Sequence, residues 1–78
     1  MQKLTQLAIN SEGFVFNPAT GDSFQVSQTG LAILNSLRDG KSDDEIAQKI
    51  NDIYEVTLEN ARRDLADFRG SLKSLGLI

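Results

Sequence analysis

The amino-acid sequence predicts an α+β domain in which an N-terminal three-stranded antiparallel sheet is followed by three helices. Two observations lead to this prediction. Within the first 26 residues, short apolar stretches are separated by turn residues, as in strands joined by tight connections. From residue 27 onward, apolar residues recur at helical spacing in three segments, and a Ser or Thr precedes each one. Because the chain has 78 residues, we expect one domain over residues 1–78.

The strands are predicted over residues 4–9, 14–16 and 23–26. Alternation is weak in the first stretch, where turn residues follow directly. The second combines aromatic and β-branched residues, which favour a pleated surface. Pro18 presets φ near the start of the next turn, and Gly21 can adopt a positive φ at its end. The third stretch alternates polar and apolar residues, as a half-buried strand does.

The predicted register of the second hairpin follows from the length of its loop. If residues 19–21 form the loop, Phe16 lies opposite Phe24 and Phe14 opposite Val26. This register places all four side chains on one face, which we expect to pack against the helices. Cross-strand aromatic pairs contribute roughly 0.2–1 kcal/mol each. We therefore interpret the aromatic residues as core residues and not as groups that stack on a ligand.

Each predicted helix begins at a residue whose side chain can accept a hydrogen bond from the first helical turn. These N-cap residues are Ser27, Ser42 and Thr57. Ser42 and Glu45 also have the spacing of a capping box, in which each side chain satisfies a backbone donor of the other residue. Gly40 follows the first apolar segment and predicts its C-terminal end.

Helical spacing also predicts which residues are buried. Two glycines conflict with this pattern, since Gly30 weakens the first helix by ~1 kcal/mol relative to Ala, and Gly70 lies in mid-helix without an evident packing reason. The predicted buried positions are Leu31, Ile33, Leu34 and Leu37, then Ile46, Ile50 and Ile53, and finally Leu58, Ala61, Leu65, Phe68, Leu72 and Leu75.

Composition excludes most catalytic and metal chemistry. The chain has no Cys and no His, so the usual nucleophile, general base and soft metal ligands are missing. No nucleophile elbow, P-loop or dinucleotide-binding glycine pattern occurs. The acidic residues 43–45 lack the spacing of a calcium loop and fit the start of a helix better. We therefore expect no enzyme activity, no catalytic residue, no metal and no cofactor.

Charge and hydropathy restrict the possible partners. The net charge is −3, from 8 basic and 11 acidic residues, which disfavours a nucleic-acid surface. No apolar stretch approaches the ~20 residues of a membrane span, and residues 1–5 do not resemble a signal peptide. We expect a cytoplasmic monomer that binds neither nucleic acid nor membrane.

The third strand is an edge of the predicted sheet and is open to pairing. Its outward residues, Ser23, Gln25 and Ser27, are small or polar and uncharged. Exposed edges are usually protected by Lys, Pro or a bulge, and the first strand has Lys3 in such a position. The third strand has no such residue, so a guest strand can pair with it.

The last helix supplies a possible wall beside this edge. On a helical wheel, Arg62, Ala66, Arg69 and Lys73 lie along one flank of the apolar stripe. A peptide between the strand and this flank would meet backbone hydrogen-bonding groups and positive charge together. We therefore expect acidic or polar side chains in such a peptide.

Four segments carry a resemblance to a known family. They are the helix end at residues 37–40, the restart at residues 42–46, the link at residues 54–56 and the C-terminal Leu-Gly-Leu-Ile at residues 75–78. The chain resembles the PqqD-like domains, also called RiPP recognition elements, over nearly its whole length. The segment Phe14-Val15-Phe16-Asn17-Pro18 resembles divergent members, some of which occur beside kinase-related or polysaccharide genes.

The resemblance implies a fold and a task. PqqD-like domains have three antiparallel strands and three helices in an arrangement related to winged helices. They bind the leader segment of a precursor peptide as a fourth strand, against the third strand and third helix. They then present it to a modifying enzyme, often a radical SAM enzyme. Transferred by position, the peptide-binding residues are Ser23, Phe24, Gln25, Val26, Ser27, Arg62, Leu65, Ala66, Arg69 and Lys73.

Two other functions remain open at this point. An adaptor for a protein partner in a kinase-related or polysaccharide gene system would use the same strand edge, so the sequence does not separate it from a leader-peptide adaptor. A winged-helix regulator that binds DNA would need a basic recognition helix. The second helix is acidic, which disfavours that alternative.

Overall fold

The computed structural model describes residues 2–78, apart from the side chains of residues 2 and 3. The predicted contribution of Lys3 to edge protection therefore lies outside the described side chains. The three strands form an antiparallel sheet in the order β1-β2-β3, and three long helices follow it, which confirms the predicted α+β class. The elements are α1 (Gln2–Thr5), β1 (Ala8–Ile9), β2 (Phe14–Phe16), β3 (Ser23–Gln25), α2 (Gln28–Arg38), α3 (Asp43–Tyr54) and α4 (Leu58–Ser74).

The N-terminal segment differs from the prediction of a strand over residues 4–9. Residues 2–5 form the short helix α1, and only Ala8 and Ile9 pair with β2. Leu4 and Leu7 are both buried, at 0% and 3% exposed. Their i, i+3 spacing places both on one side of a helical turn, and this spacing decides the local structure against the weak alternation.

The register of the second hairpin also differs from the prediction. Asn17 N–H donates to the Asp22 carbonyl at 2.8 Å, so the loop comprises residues 18–21 and not residues 19–21. Val15 consequently lies opposite Phe24. Because side chains alternate along a strand, a shift of one residue moves them to the other face.

The aromatic residues of β2 are therefore outside the core. Val15 is 1% exposed, whereas Phe14 and Phe16 are 52% and 44% exposed. Phe24 and Val26 are half-buried and pack against the core. The prediction that three aromatic side chains face the helices is wrong for two of the three.

The predicted helix caps are confirmed. The Ser27 hydroxyl accepts from Gly30 N–H at 3.1 Å, and the Thr57 hydroxyl accepts from Asn60 N–H at 3.1 Å. In the capping box, the Ser42 hydroxyl accepts from Glu45 N–H at 3.2 Å, and Ser42 N–H donates to the Glu45 carboxylate at 3.0 Å. The helices begin where local hydrogen bonding predicts.

The core lies between the inner face of the sheet and the three long helices. Most predicted helix positions belong to it, together with Leu4, Leu7, Val15 and Leu77, which the helical spacing did not include. Three predicted positions are exposed instead: Ile53 at 55%, Leu58 at 38% and Leu75 at 55%. Ile53 and Leu58 lie within two residues of a helix end, and Leu75 is the C-cap residue that follows α4.

Among the helices described within residues 2–78, none is both long enough and apolar enough to cross a membrane.

Candidate peptide-binding cleft

The open edge of the sheet is β3, and its hydrogen-bonding groups have a definite direction. Val26 N–H donates to the Gly13 carbonyl at 2.9 Å, and Asn17 N–H donates to the Asp22 carbonyl at 2.8 Å. Residues opposite each other in an antiparallel pair alternate between bonded and non-bonded pairs. The pair formed by Phe24 and Val15 is therefore bonded, and the pairs on either side of it are not.

It follows that the backbone N–H and C=O groups of Ser23 and Gln25 point away from β2. The hydrogen bonds of β2 agree with this direction. The Phe14 carbonyl accepts from Asn10 N–H at 3.0 Å, so it faces β1 and does not bond to Gln25 on β3. Ser23 and Gln25 are exposed and uncharged. This edge presents donors and acceptors in the arrangement that a further strand needs.

The helix α4 does not pack directly along β3. No Cα atom of β3 lies within 8 Å of a Cα atom of α4. Neighbouring strands lie about 4.8 Å apart, so the backbone of α4 does not occupy the position next to β3 that a guest strand would take.

A cleft of about 380 Å³ lies between the start of α2 and α4. Its floor is formed where the two helices approach each other, because a Cβ atom added at Gly30 would lie 3.0 Å from the Phe68 ring and 3.2 Å from the Val26 side chain. This approach explains why α2 has a glycine in its first turn. The lining residues are Ser27, Thr29, Gly30, Ile33, Asp64, Asp67, Phe68 and Ser71.

The predicted basic flank of α4 lies elsewhere. Arg62, Ala66 and Arg69 line a separate hollow with the N-terminal turn of α3. Arg69 Nη2 contacts Asp43 Oδ1 at 2.5 Å, and Arg62 Nη2 lies 3.5 Å from Asp44 Oδ1. These arginines join α4 to α3.

The residues predicted for peptide binding thus form two groups. Ser23 to Ser27 form the strand edge and its continuation into α2, where the Ser27 hydroxyl is engaged in the helix cap. Leu65 is buried, and Lys73 is exposed on the surface of α4. The structure brings Ser27 to the Asp64 and Phe68 flank of α4, and it does not bring Ser27 into the hollow lined by Arg62 and Arg69.

The sequence analysis did not consider the acidic flank of α4, which lines this cleft. At 100° per residue, Asp64, Asp67 and Ser71 lie on the opposite side of the apolar stripe from Arg62 and Arg69. The helical wheel therefore contained both flanks, and the positive one was preferred. Gly30 was the available signal, since a glycine in a helical first turn often marks a close approach of another element.

Comparison with known proteins gives a family and two structural neighbours. A family model described as coenzyme PQQ synthesis protein D (PqqD) matches residues 12–78. The chain belongs to the PqqD family. This membership confirms the resemblance found in the sequence. The comparison with curated proteins found no match.

Two solved structures resemble this PqqD-family chain, each with a TM-score of 0.78 over 91% of it. One is lasso peptide synthetase B1 complexed with the leader peptide, 28% identical and matched over 87% of that chain. The other is TbiB1 in complex with the TbiA(beta) leader peptide, 32% identical and matched over 84% of that chain. Both neighbours were solved with a leader peptide bound.

The side chains of the described residues do not suggest a metal centre. Among them, no three His, Cys, Asp or Glu residues are grouped in a way that could hold a metal ion. The chemistry that the cleft offers is backbone pairing, apolar contact and charge.

Proposed function

We propose that this PqqD-family chain is a non-enzymatic adaptor that binds the leader segment of a precursor peptide as an added strand on β3. The observation that carries this proposal is the outward direction of the Ser23 and Gln25 backbone groups at a strand edge that the α4 backbone does not cover. Family membership and two neighbours solved with leader peptides support it.

Backbone pairing supplies affinity in this mechanism. Both the N–H and the C=O of Ser23 and of Gln25 are directed to the guest strand, and each net hydrogen bond contributes about 0.5–1.5 kcal/mol. Such bonds do not depend on the guest's side chains, so the cleft has to supply specificity. The half-buried Phe68 offers apolar contact in the cleft that borders Ser27.

The proposed site therefore comprises the segment from Ser23 to Ser27 and the α4 flank that borders Ser27. The flank of Arg62, Ala66, Arg69 and Lys73, with Leu65 at its base, stays a prediction as an alternative helical wall. We propose that the bound leader is presented to a peptide-modifying enzyme, of the radical SAM class as the family resemblance implies, in the cytoplasm.

A display experiment tests the proposal with a defined probe. A library of random 12-residue peptides on phage is selected on the immobilised chain, and recovered peptides are measured in solution by fluorescence anisotropy. Gln25→Pro removes an outward N–H, so it should abolish binding. Gln25→Ala keeps that N–H and is the matched control, which should bind within about twofold of the wild type.

Circular dichroism of both variants establishes that the fold is retained. Equal binding by folded Gln25→Pro and Gln25→Ala would reject strand addition at β3. Recovery of no binding peptide at all would reject peptide capture by this domain.

A further inference from the structure

We infer that Asp64 and Asp67 determine specificity in the cleft and select a guest peptide with a Lys or Arg residue at this position. The inference rests on the proposed strand addition at β3 and goes beyond it, because it names the charge of the ligand. The peptide charge inferred here is positive, whereas the sequence analysis led us to expect acidic or polar peptide residues.

The charges that line the cleft are negative. Asp64 and Asp67 lie three residues apart on α4, which places them on the same face of the helix. The remaining lining residues are neutral, and none of them is Lys or Arg. Among the residues that line the cleft, a peptide therefore meets two carboxylates and no cation.

The arginines of α4 do not pair with these carboxylates. Arg63 lies four residues before Asp67, the spacing of a helical ion pair, but it is exposed and takes part in neither ion pair of the described side chains. Arg62 is paired with Asp44 and Arg69 with Asp43, so both cations are directed to α3. Within the side chains that the structure describes, the ion pairs involve neither Asp64 nor Asp67. Both aspartates are exposed and can accept a cation from a ligand.

The start of α2 provides one possible structural reason for acidic residues here. A helix N-terminus carries about half a positive charge, and the first turn of α2 contains no acidic residue of its own. Two carboxylates exceed that partial charge by about one and a half charges, so the cleft remains negative. Helix compensation alone does not account for both aspartates.

The floor of the cleft fits the stem of a basic side chain. Phe68 is half-buried and supplies the accessible apolar surface below the carboxylates, while Ile33, at 1% exposed, packs beneath it. Lys and Arg bury their methylene stems on apolar surface while their charged ends reach polar groups. A cation near the Phe68 ring gains further attraction from the ring face. A glutamate at the same place would face two carboxylates, and the partial charge of the α2 N-terminus would offset only part of that repulsion.

Selection of displayed peptides on three proteins tests this inference. The proteins are the wild type, the Asp64→Asn/Asp67→Asn double variant, and an Asp39→Asn/Asp52→Asn double variant, which makes the same charge change at exposed positions outside the cleft and serves as the control. Wild type and control should enrich Lys and Arg over the unselected 12-residue library, whereas the Asp64→Asn/Asp67→Asn variant should show no such enrichment. Thermal unfolding establishes that all three are folded.

The affinity of a recovered peptide is then measured in solution, with and without its basic residue. Replacement of its basic residue by Gln should weaken binding to the wild type by about two- to fivefold, the range of an exposed ion pair. The same replacement should have no effect on the Asp64→Asn/Asp67→Asn variant. For the wild-type protein, the difference in affinity between the original peptide and its Gln variant should also decrease at high salt.

The outcomes separate this inference from the proposed function. A preference for acidic peptides, or a basic preference that persists in the Asp64→Asn/Asp67→Asn variant, overturns the inference while strand addition stands if Gln25→Pro abolishes binding. Equal binding by folded Gln25→Pro, or recovery of no peptide, overturns the proposed function and the inference together.

Discussion

The Val26 amide donates a 2.9 Å hydrogen bond to the Gly13 carbonyl, where the turn into β2 meets the end of β3. Gly13 has a φ of 93°, and a Cβ atom there would lie 2.4 Å from the Val26 carbonyl oxygen. The two backbones approach so closely that only glycine fits. This contact fixes the register of β3 and therefore decides which of its backbone groups point outward.

Substitution of Gly13 should destabilise the sheet more than substitution of a glycine that has the same backbone conformation in open space. Gly13→Ala adds both a positive-φ penalty of about 1–2 kcal/mol and a collision with Val26. Gly21→Ala is the control, since Gly21 has a φ of 80° but no atom within 4 Å of an added Cβ. Urea unfolding should rank Gly13→Ala as the less stable variant. Equal losses would show that the approach to Val26 is not constrained.

Two helical glycines should respond to alanine with opposite signs. Gly30→Ala brings a methyl group to 3.0 Å from the Phe68 ring, so it should destabilise despite the better helix propensity. Gly70→Ala meets no atom within 4 Å and should stabilise α4 by about 0.8–1.0 kcal/mol. Chemical denaturation measures both. A stabilising Gly30→Ala would contradict the close packing of α2 against α4.

The hairpin register predicts unequal losses for two phenylalanines. Phe24 packs against the core, whereas Phe14 is 52% exposed on the outer face of the sheet. Phe24→Ala should cost about 1–3 kcal/mol, less than the value for a fully buried ring, and Phe14→Ala should cost under about 1 kcal/mol. The comparison uses the free energy of unfolding at one pH. Comparable losses at both positions would support the register predicted from the sequence, in which both rings face the helices.

The capping box predicts a dependence on pH. The backbone N–H of Ser42 donates to the Glu45 carboxylate, the Ser42 hydroxyl and Lys41 add smaller favourable contributions, and the pKa of Glu45 is lowered. A lowered folded-state pKa means that the contribution is present at neutral pH and is lost as pH falls through that pKa. Ser42→Ala should raise the Glu45 pKa in an NMR titration and cost about 1 kcal/mol of stability.

The same variant separates a structural from a functional interpretation of the acidic residues 43–45. Ser42→Ala should leave peptide affinity unchanged, because the cap lies on α3 and not in the cleft beside β3. Loss of binding at unchanged stability would instead place the α3 N-terminus in the binding site.

Local interactions explain which parts of the fold the sequence predicted well. Ser27, Ser42 and Thr57 cap their helices through bonds to residues three positions away, and such bonds depend on little else. The hairpin register was harder, because Asn17 bonds to Ala19 N–H through its side chain and extends the loop by one residue. A few local bonds decide between a loop of residues 19–21 and one of residues 18–21. The longer loop turns Val15 toward the core and Phe14 and Phe16 away from it.

The sequence predicted the strand edge of the candidate site but not which flank of α4 borders it. The open edge from Ser23 to Gln25 follows from strand order, which the sequence predicted correctly. The flank of α4 that borders it depends on the rotation of α4 about its own axis. Packing of Phe68 on Gly30 and pairing of Arg69 with Asp43 set that rotation, and both are long-range contacts that a helical wheel does not contain.

Amide hydrogen exchange of β3 tests strand addition most directly. The ¹⁵N-labelled chain is measured by NMR with and without a saturating peptide recovered from the 12-residue library. The account predicts that the amides of Ser23 and Gln25 become protected on binding, by about tenfold or more for one hydrogen bond of 1.4 kcal/mol. The amides of Phe24 and Val26 already face β2 and should change little. Free exchange at Ser23 and Gln25 in the bound state, with shifts confined to residues 43–54, would contradict the account.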